Sequence, residues 1–289
     1  MPLRVALLVN PSSGAGRARS LVAPVVERLR AGGAEVEVLV GQDAADTAGL
    51  ARRAVGGHVD VLAALGGDGL VNLAVQAAVG SDVALAVVPG GTGNDGARML
   101  GLRDPLHAVD VLLGGARRRL DVGRVGDRVF LNVLSSGFDS RVTERANALR
   151  WPRGTSRYPL AMLAELGVFR AVPYELEIDG APLHLRAMLV AVGNGPAYGG
   201  GMRVCPGADP ADGLLDVTVL TPLPTWRFLR LFPSVYRGAH VGRPEVLTLR
   251  ARSVRLSAPG MTAYADGEPL GPLPVVVQVV PAALTVLVP

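Results

Sequence analysis

The chain contains no lysine: all 29 of its lysine-or-arginine positions are arginine. That absence excludes a P-loop lysine and a Schiff-base lysine. It makes arginine, whose planar fork fits phosphate, the cation to expect beside a phosphate group. Cysteine is reduced to Cys205, so an internal disulfide and a cysteine-rich zinc site are both impossible, and a reducing compartment is expected. His58, His107, His184 and His240 show no metal-ligand spacing. Aromatic residues make up only 4%, so Val, Leu and Ala must fill the core. No stretch reaches the ~18 consecutive apolar residues of a membrane helix. The best candidate, Val275 to Val288, is broken by Gln278, Pro281 and Thr285 and is predicted as two β-strands. The start runs straight into an apolar strand, without the charged and long apolar regions of a secretory signal, so a cytoplasmic protein is expected.

What is present points to two domains. A length of 289 residues suits about two. The net charge of +4 fits an anionic substrate, an anionic membrane or nucleic acid about equally. Over the first 115 or so residues strands and helices alternate: strands at Val5 to Val9, Val36 to Val40, Val59 to Leu65 and Val83 to Val88, with helices at Arg17 to Ala31, Ala44 to Val55, Gly69 to Val79 and Ala97 to Leu100. Such alternation predicts a doubly wound parallel sheet, with ligands at the carboxyl ends of its strands. After about residue 120 the pattern turns to short strands, among them Val129 to Leu134, Tyr174 to Ile178, Leu183 to Val192 and Leu215 to Leu220, with Asp179-Gly180 as a hairpin signal. The reading is an α/β domain over 1–122 and a mainly β, sandwich-like domain over 123–289.

Three loops carry the chemistry. Gly66-Gly67-Asp68-Gly69 lies between a strand and a helix, where glycines let the backbone approach a phosphate and a helix start offers unpaired N–H groups. Its aspartate would repel phosphate unless it orients a cation; otherwise it is only a helix cap. Pro89-Gly90-Gly91-Thr92-Gly93-Asn94-Asp95 follows the next strand and belongs beside the first loop. Residues 91–96 also spell GxGxxG, a weak dinucleotide signal because it follows the fourth strand rather than the first. Asn10-Pro11-Ser12-Ser13-Gly14-Ala15-Gly16-Arg17 opens the first helix.

Together, Asn10-Pro11-x-Ser13-Gly14, Gly66-Gly67-Asp68-Gly69 with Asn72, and Gly91-Thr92-x-Asn94-Asp95 resemble the diacylglycerol kinase catalytic family. That family includes sphingosine and ceramide kinases and shares its fold with NAD kinases. The resemblance continues in order through Leu120-Asp121-Val122-Gly123, Phe130-x-Asn132, Gly137-Phe138-Asp139, Asn194-Gly195 with Gly199-Gly200-Gly201, Asp212-Gly213-Leu214-Leu215-Asp216 and Asp266-Gly267-Glu268-Pro269. It implies an ATP- and Mg²⁺-dependent kinase acting on a lipid hydroxyl, with diacylglycerol as the first choice and a sphingoid base or other lipid alcohol as the alternative. It implies that Gly66, Gly67, Asp68, Gly69 and Asn72 contact the ATP phosphates, with Asn10, Ser13, Gly91, Thr92 and Asn94 nearby. It further implies that Asp68, Asp95 and Asp121 form an acidic network that holds catalytic Mg²⁺, directly or through water, and that Glu268 is the general base. Asp212, with the carbonyls of Asp209 and Leu214, would bind a structural Mg²⁺.

The chain departs from that pattern at Leu70 and Leu73, where Thr and Glu are usual, at Gly41, where a nucleotide-contacting Thr is common, and at Gly96, which replaces an aromatic. These leave open a nucleotide- or lipid-binding protein with weakened catalysis, and the shared Gly-Gly-Asp-Gly leaves open a kinase acting on NAD. The segments Arg141 to Met162 and Trp226 to Arg237 mix arginine with large apolar residues and suit either peripheral contact with an anionic membrane or simple cover for the β domain. A lipid substrate at the membrane's inner face, no nucleic-acid partner and a homodimer are the remaining expectations.

Overall fold

The computed structural model describes residues 2–148 and 157–289. Its first half is built as the alternation predicts. Strands β1 (Arg4–Val9), β2 (Glu35–Val40), β3 (Val61–Gly66) and β4 (Ala84–Pro89) run parallel in the order β2-β1-β3-β4. Strands β3 and β4 are buried along their whole length, as strands covered by helices on both faces must be. Helices α1 (Arg17–Ala31), α2 (Ala44–Val55), α3 (Asp68–Ala78), the short α4 (Asp95–Met99) and α5 (Pro105–Gly114) supply that cover. Helix α5 is capped by Asp104, whose carboxylate accepts the N–H groups of Leu106 and His107, with Pro105 in the first turn.

Strand β5 (Ala116–Val125) and the short β6 (Arg128–Phe130) lead into the second half. There an antiparallel sheet has the order β12-β11-β10-β7-β14-β15, formed by β7 (Val133–Gly137), β10 (Leu189–Gly193), β11 (Leu215–Leu220), β12 (Val246–Ala251), β14 (Thr262–Ala265) and β15 (Glu268–Pro272). It packs across a core including Leu134, Tyr174, Val190, Leu215 and Leu256. The opposing strands are β8 (Val172–Ile178), β9 (Ala181–Ala187) and β13 (Ser253–Ser257). Helices α6 (Phe138–Ala148), α7 (Arg157–Val168) and α8 (Thr225–Val235) flank this sandwich, and Phe138 of α6 meets both Phe169 and Phe228 edge-on. Of the predicted basic and apolar segment at 141–162, residues 149–156 lie outside the described residues.

Three predicted strands come out differently. Val129 to Leu134 is not one strand but most of β6 and the start of β7, which belong to opposite sheets with Leu131 and Asn132 between them. Leu183 to Val192 is not one strand but the end of β9 and the start of β10, which belong to opposite sheets with Met188 between them. Val275 to Val288 is not two strands but one, β16, with an irregularity between Val280 and Leu284 and a left-handed Ala282 at φ 48. This strand begins in the sandwich, where it pairs with β13, and ends in the first half, where Val286 aligns parallel with Leu85 of β4. Leu284, Val286 and Leu287 are buried in the core of the α/β half. The parallel sheet and one sheet of the sandwich are therefore one continuous hydrogen-bonded surface.

Candidate active site

The three glycine-rich loops meet at the carboxyl edge of β1, β3 and β4, where ligands bind in such sheets. Ser13 Oγ accepts the N–H of Gly67 at 3.3 Å, and the N–H of Gly90 donates to Gly66 O at 2.8 Å. Loop contact is close enough that a methyl group on Gly91 would lie 2.5 Å from Gly67 Cα. Asn94 holds its own loop: its side chain accepts from Gly91 N–H and donates to Gly91 O, both at 2.9 Å, with the backbone left-handed at φ 54. Asn10 accepts the N–H of Ser12 at 3.0 Å. Asn72 is buried one turn after Asp68 on α3, within 3.5 Å of Gln76 Nε2. Thr92 and Gly69 are exposed at the mouth.

Asp68 and Asp95 form a carboxylate pair. A methyl group on Gly93 would lie 2.6 Å from Asp68 Oδ2 and 3.9 Å from Asp95 Oδ2, so the absent side chain of Gly93 leaves room beside both carboxylates. Asp68 Oδ1 accepts the N–H of Gly96 at 3.1 Å. Burial, and secondarily the charge of Asp95, hold the Asp68 pKa above the usual carboxylate range. Asp95 is itself buried; Arg98 donates to its Oδ1 at 2.6 Å, and the N–H of Gly200 donates to its Oδ2 at 2.8 Å. Arg98 also donates to Gly93 O at 2.9 Å. No motif singled it out; only the lack of lysine announced that an arginine would stand here.

Glu268, about 200 residues further along the chain, arrives at the same place. It begins β15, is exposed, and its Oε1 lies 3.5 Å from the position a methyl group on Gly69 would take. The sandwich thus presents an acid to the start of the helix that opens with Asp68-Gly69.

Residues 4–125 match the family profile described as diacylglycerol kinase catalytic domain, and residues 132–288 match the YegS C-terminal NAD kinase beta sandwich-like domain. A diacylglycerol kinase of Mycobacterium tuberculosis is 42% identical over 294 residues, covering 99% of this chain and 95% of its own. The chain belongs to the diacylglycerol kinase family. A diacylglycerol kinase of Bacillus subtilis is 29% identical over 94% of this chain and 91% of its own. A solved structure of a putative diacylglycerol kinase from Bacillus anthracis shares the fold, with a TM-score of 0.83 at 22% identity, covering 99% of this chain and 97% of that one. So, more distantly, does an NAD kinase from Archaeoglobus fulgidus solved with ATP, with a TM-score of 0.54 at 13% identity, covering 99% and 93%.

In this lipid kinase the third acid of the predicted network, Asp121, is engaged by backbone groups. Asp121 does not face the Asp68–Asp95 pair with a free carboxylate. Its Oδ1 accepts the N–H of Ala282 at 2.7 Å, inside the irregular stretch of β16, and its Oδ2 accepts the N–H of Gly213 at 2.7 Å. Its own N–H donates to Pro210 O at 2.7 Å, and Asn194 donates to its carbonyl at 3.0 Å. Asp121 is a buried staple between the two halves. Among the described residues no three acidic, histidine or cysteine side chains converge to hold a metal. Asp68, beside the space left at Gly93, does fit a Mg²⁺ ion that takes its remaining ligands from phosphate and water, with Asp95, whose oxygens already accept Arg98 and the Gly200 N–H, as its charged neighbour.

The structural Mg²⁺ expected at Asp212 with the carbonyls of Asp209 and Leu214 would meet a carboxylate that is already engaged. Asp212 is already paired through Oδ2 with the guanidinium of Arg250, which also reaches Asp216 Oδ2 at 3.3 Å, and its Oδ1 accepts the N–H of Leu214 at 3.0 Å. Asp209 turns its Oδ1 to the N–H of Ala211 and to Arg118. An arginine supplies the counter-charge there. The thermal midpoint of the ligand-free protein is accordingly expected to be the same with and without a chelator, and a clear fall with chelator would restore the metal site.

The departures from the family pattern also read differently in three dimensions. Leu70 is buried, with Cδ2 only 2.7 Å from where a side chain on Gly66 would start, so it supports the loop from beneath. A methyl group on Gly41 would lie 2.2 Å from Thr47 Oγ1; a threonine hydroxyl from the first turns of α2 already fills that space.

Proposed function

We propose that this chain transfers the γ-phosphoryl group of ATP to the hydroxyl of diacylglycerol, giving phosphatidic acid and ADP. The observation that carries the reading is the approach of Glu268 to Gly69, which brings a carboxylate from the sandwich to the phosphate-binding edge of the parallel sheet. Phosphoryl transfer asks mainly for charge neutralisation and an aligned nucleophile. The N–H groups at the start of α3 and of the neighbouring loops meet the phosphates, and Thr92 adds a hydroxyl at the mouth. Asp68, with the charge of Asp95 beside it, would hold Mg²⁺, which neutralises the transferring group when bound. Arg98, half-exposed and already at the Asp95 carboxylate, adds the cation that lysine would provide elsewhere. Glu268 takes the proton of the lipid hydroxyl, a poor nucleophile without a positioned base. Incubation with γ-labelled ATP, Mg²⁺, micellar diacylglycerol, a sphingoid base and NAD tests the reading. Label is expected in phosphatidic acid, and label confined to the sphingoid base or to NADP would sink it.

The lipid is reached at a membrane surface on the cytoplasmic side, and α8 supports this. Its inward face carries Phe228 and Phe232, while Trp226, Leu229, Pro233 and Tyr236 form an outward stripe, each exposed, beside Arg227, Arg230 and Arg237. A stripe of this composition suits an anionic bilayer. Among the described residues no helix is long and apolar enough to cross one. Replacing Trp226 and Leu229 together by Ala is expected to weaken binding to anionic vesicles by about tenfold or more, the worth of burying two apolar side chains. Turnover of a short-chain, water-soluble diacylglycerol should be retained. Sedimentation with vesicles measures the first and a coupled ADP assay the second.

A further inference from the structure

Glu268 sits at the end of an exposed hairpin, yet the turn before it is anchored inside the protein. Asp266 and Gly267 are both left-handed, at φ 50 and φ 86, which closes a two-residue turn between β14 and β15. Such a turn closes without help. Asp266 nevertheless points its carboxylate inward: Oδ2 accepts the N–H of Leu131 at 2.8 Å, and Oδ1 accepts those of Asn132 and Val133 at 3.0 and 3.2 Å. Its own N–H donates to Val133 O at 3.1 Å. One turn residue is thus tied to a single short segment of backbone by its N–H and both carboxylate oxygens.

That segment is in turn tied to the nucleotide-side helix. Gln76 of α3 donates to Val129 O at 2.5 Å and accepts the N–H of Val129 at 3.0 Å, just before Leu131. A short chain of hydrogen bonds therefore runs from α3, which opens with Asp68 and Gly69, through β6 and the Leu131–Val133 backbone, to the residue two before Glu268. We propose that Asp266 is a positioning residue, clamping the β14–β15 turn to the Leu131–Val133 backbone and so holding Glu268 at the required place over Gly69. Burial pushes the Asp266 carboxyl up to about 6, and its backbone donors oppose that rise; a carboxylate retained in such a site has work beyond closing a turn. The inference rests on Glu268 being the base.

The test is Asp266→Asn. Asparagine tolerates the left-handed backbone and keeps the volume, but it turns an amide N–H₂ toward a backbone N–H and breaks part of the clamp. kcat on micellar diacylglycerol is expected to fall about 100-fold, the scale of a misplacement near 1 Å. The KM for ATP and the stoichiometry of ATP binding per chain are expected to stay at wild-type values. Normalising to ATP-binding sites removes any unfolded fraction, so a poorly folding variant still answers the question. A kcat near wild type overturns the proposal. So does a loss of activity that merely tracks a loss of ATP-binding sites, which is what a purely structural role would produce. Glu268→Gln run alongside separates the two claims: if that variant turns over normally, the base assignment fails, whereas an inactive Glu268→Gln with an active Asp266→Asn refutes only the clamp.

Discussion

Glu268→Gln is expected to lower kcat by about 1000-fold while ATP binding persists, the range in which a lost general base is felt. Glutamine keeps the shape and the exposed position at the start of β15. It removes only the ability to accept the proton of the substrate hydroxyl. Glu268 approaches the nucleotide loops at Gly69, the helix start, so calorimetric titration with ATP and Mg²⁺ should return the wild-type affinity. Parallel losses of binding and turnover would move Glu268 from the chemistry to the nucleotide site. Unchanged turnover would remove it from both.

The second large effect is expected from a single methyl group. Gly93→Ala places Cβ 2.6 Å from Asp68 Oδ2. The Asp68 side chain is short and pinned by the N–H of Gly96, so it has little room to yield. Either the carboxylate turns away from Asp95 or the loop shifts. Both outcomes spoil the carboxylate pair, and a fall of about 100-fold in kcat/KM is expected. Mg²⁺ titrations should show weaker binding of the nucleotide complex, with the far-ultraviolet circular dichroism unchanged. The wild-type pair also predicts a pH dependence. Mg²⁺ needs the ionised form of Asp68, and burial together with Asp95 raises the pH at which that form is lost. Protonation therefore competes with the metal at a higher pH than for a free aspartate. Apparent Mg²⁺ affinity should fall on the acid side earlier than an ordinary carboxylate would set. An acid limb confined to the ordinary range would show that Asp68 is not the metal ligand.

Much of the α/β half was legible in the chain because its causes are local. Apolar runs of strand length, helix caps and glycine stops succeed one another in order, and the edge where the glycine-rich loops gather follows from where such sheets bind ligands. What was not legible depends on partners far away. Asp121 follows Arg117-Arg118-Arg119 and looks like a solvated acid or a metal ligand; its carboxylate is in fact taken by Gly213 and Ala282. The Asp266-Gly267 turn could be read as a hairpin from its two residues, but its anchorage could not, because the anchoring N–H groups belong to Leu131, Asn132 and Val133. Leu70 looked like a missing hydroxyl and is a core residue supporting Gly66. Gly93 completes a GxGxxG string that suggests a dinucleotide, whereas its use is to leave room beside two acids.

The path of β16 has a consequence for how this protein is made. Residues 284–288 pair with β5, and Val286 lies beside Leu85 on β4. During synthesis the helices and strands of the α/β half emerge early, but β16, which covers the edge of β4 away from β3, emerges after the other described strands. Until it does, β4 presents an unpaired edge and an uncovered apolar strip, the condition under which nascent chains associate wrongly. The α/β half therefore cannot close its sheet before the sandwich half has been translated, and a ribosome-bound chain lacking β16 would hold an incomplete enzyme.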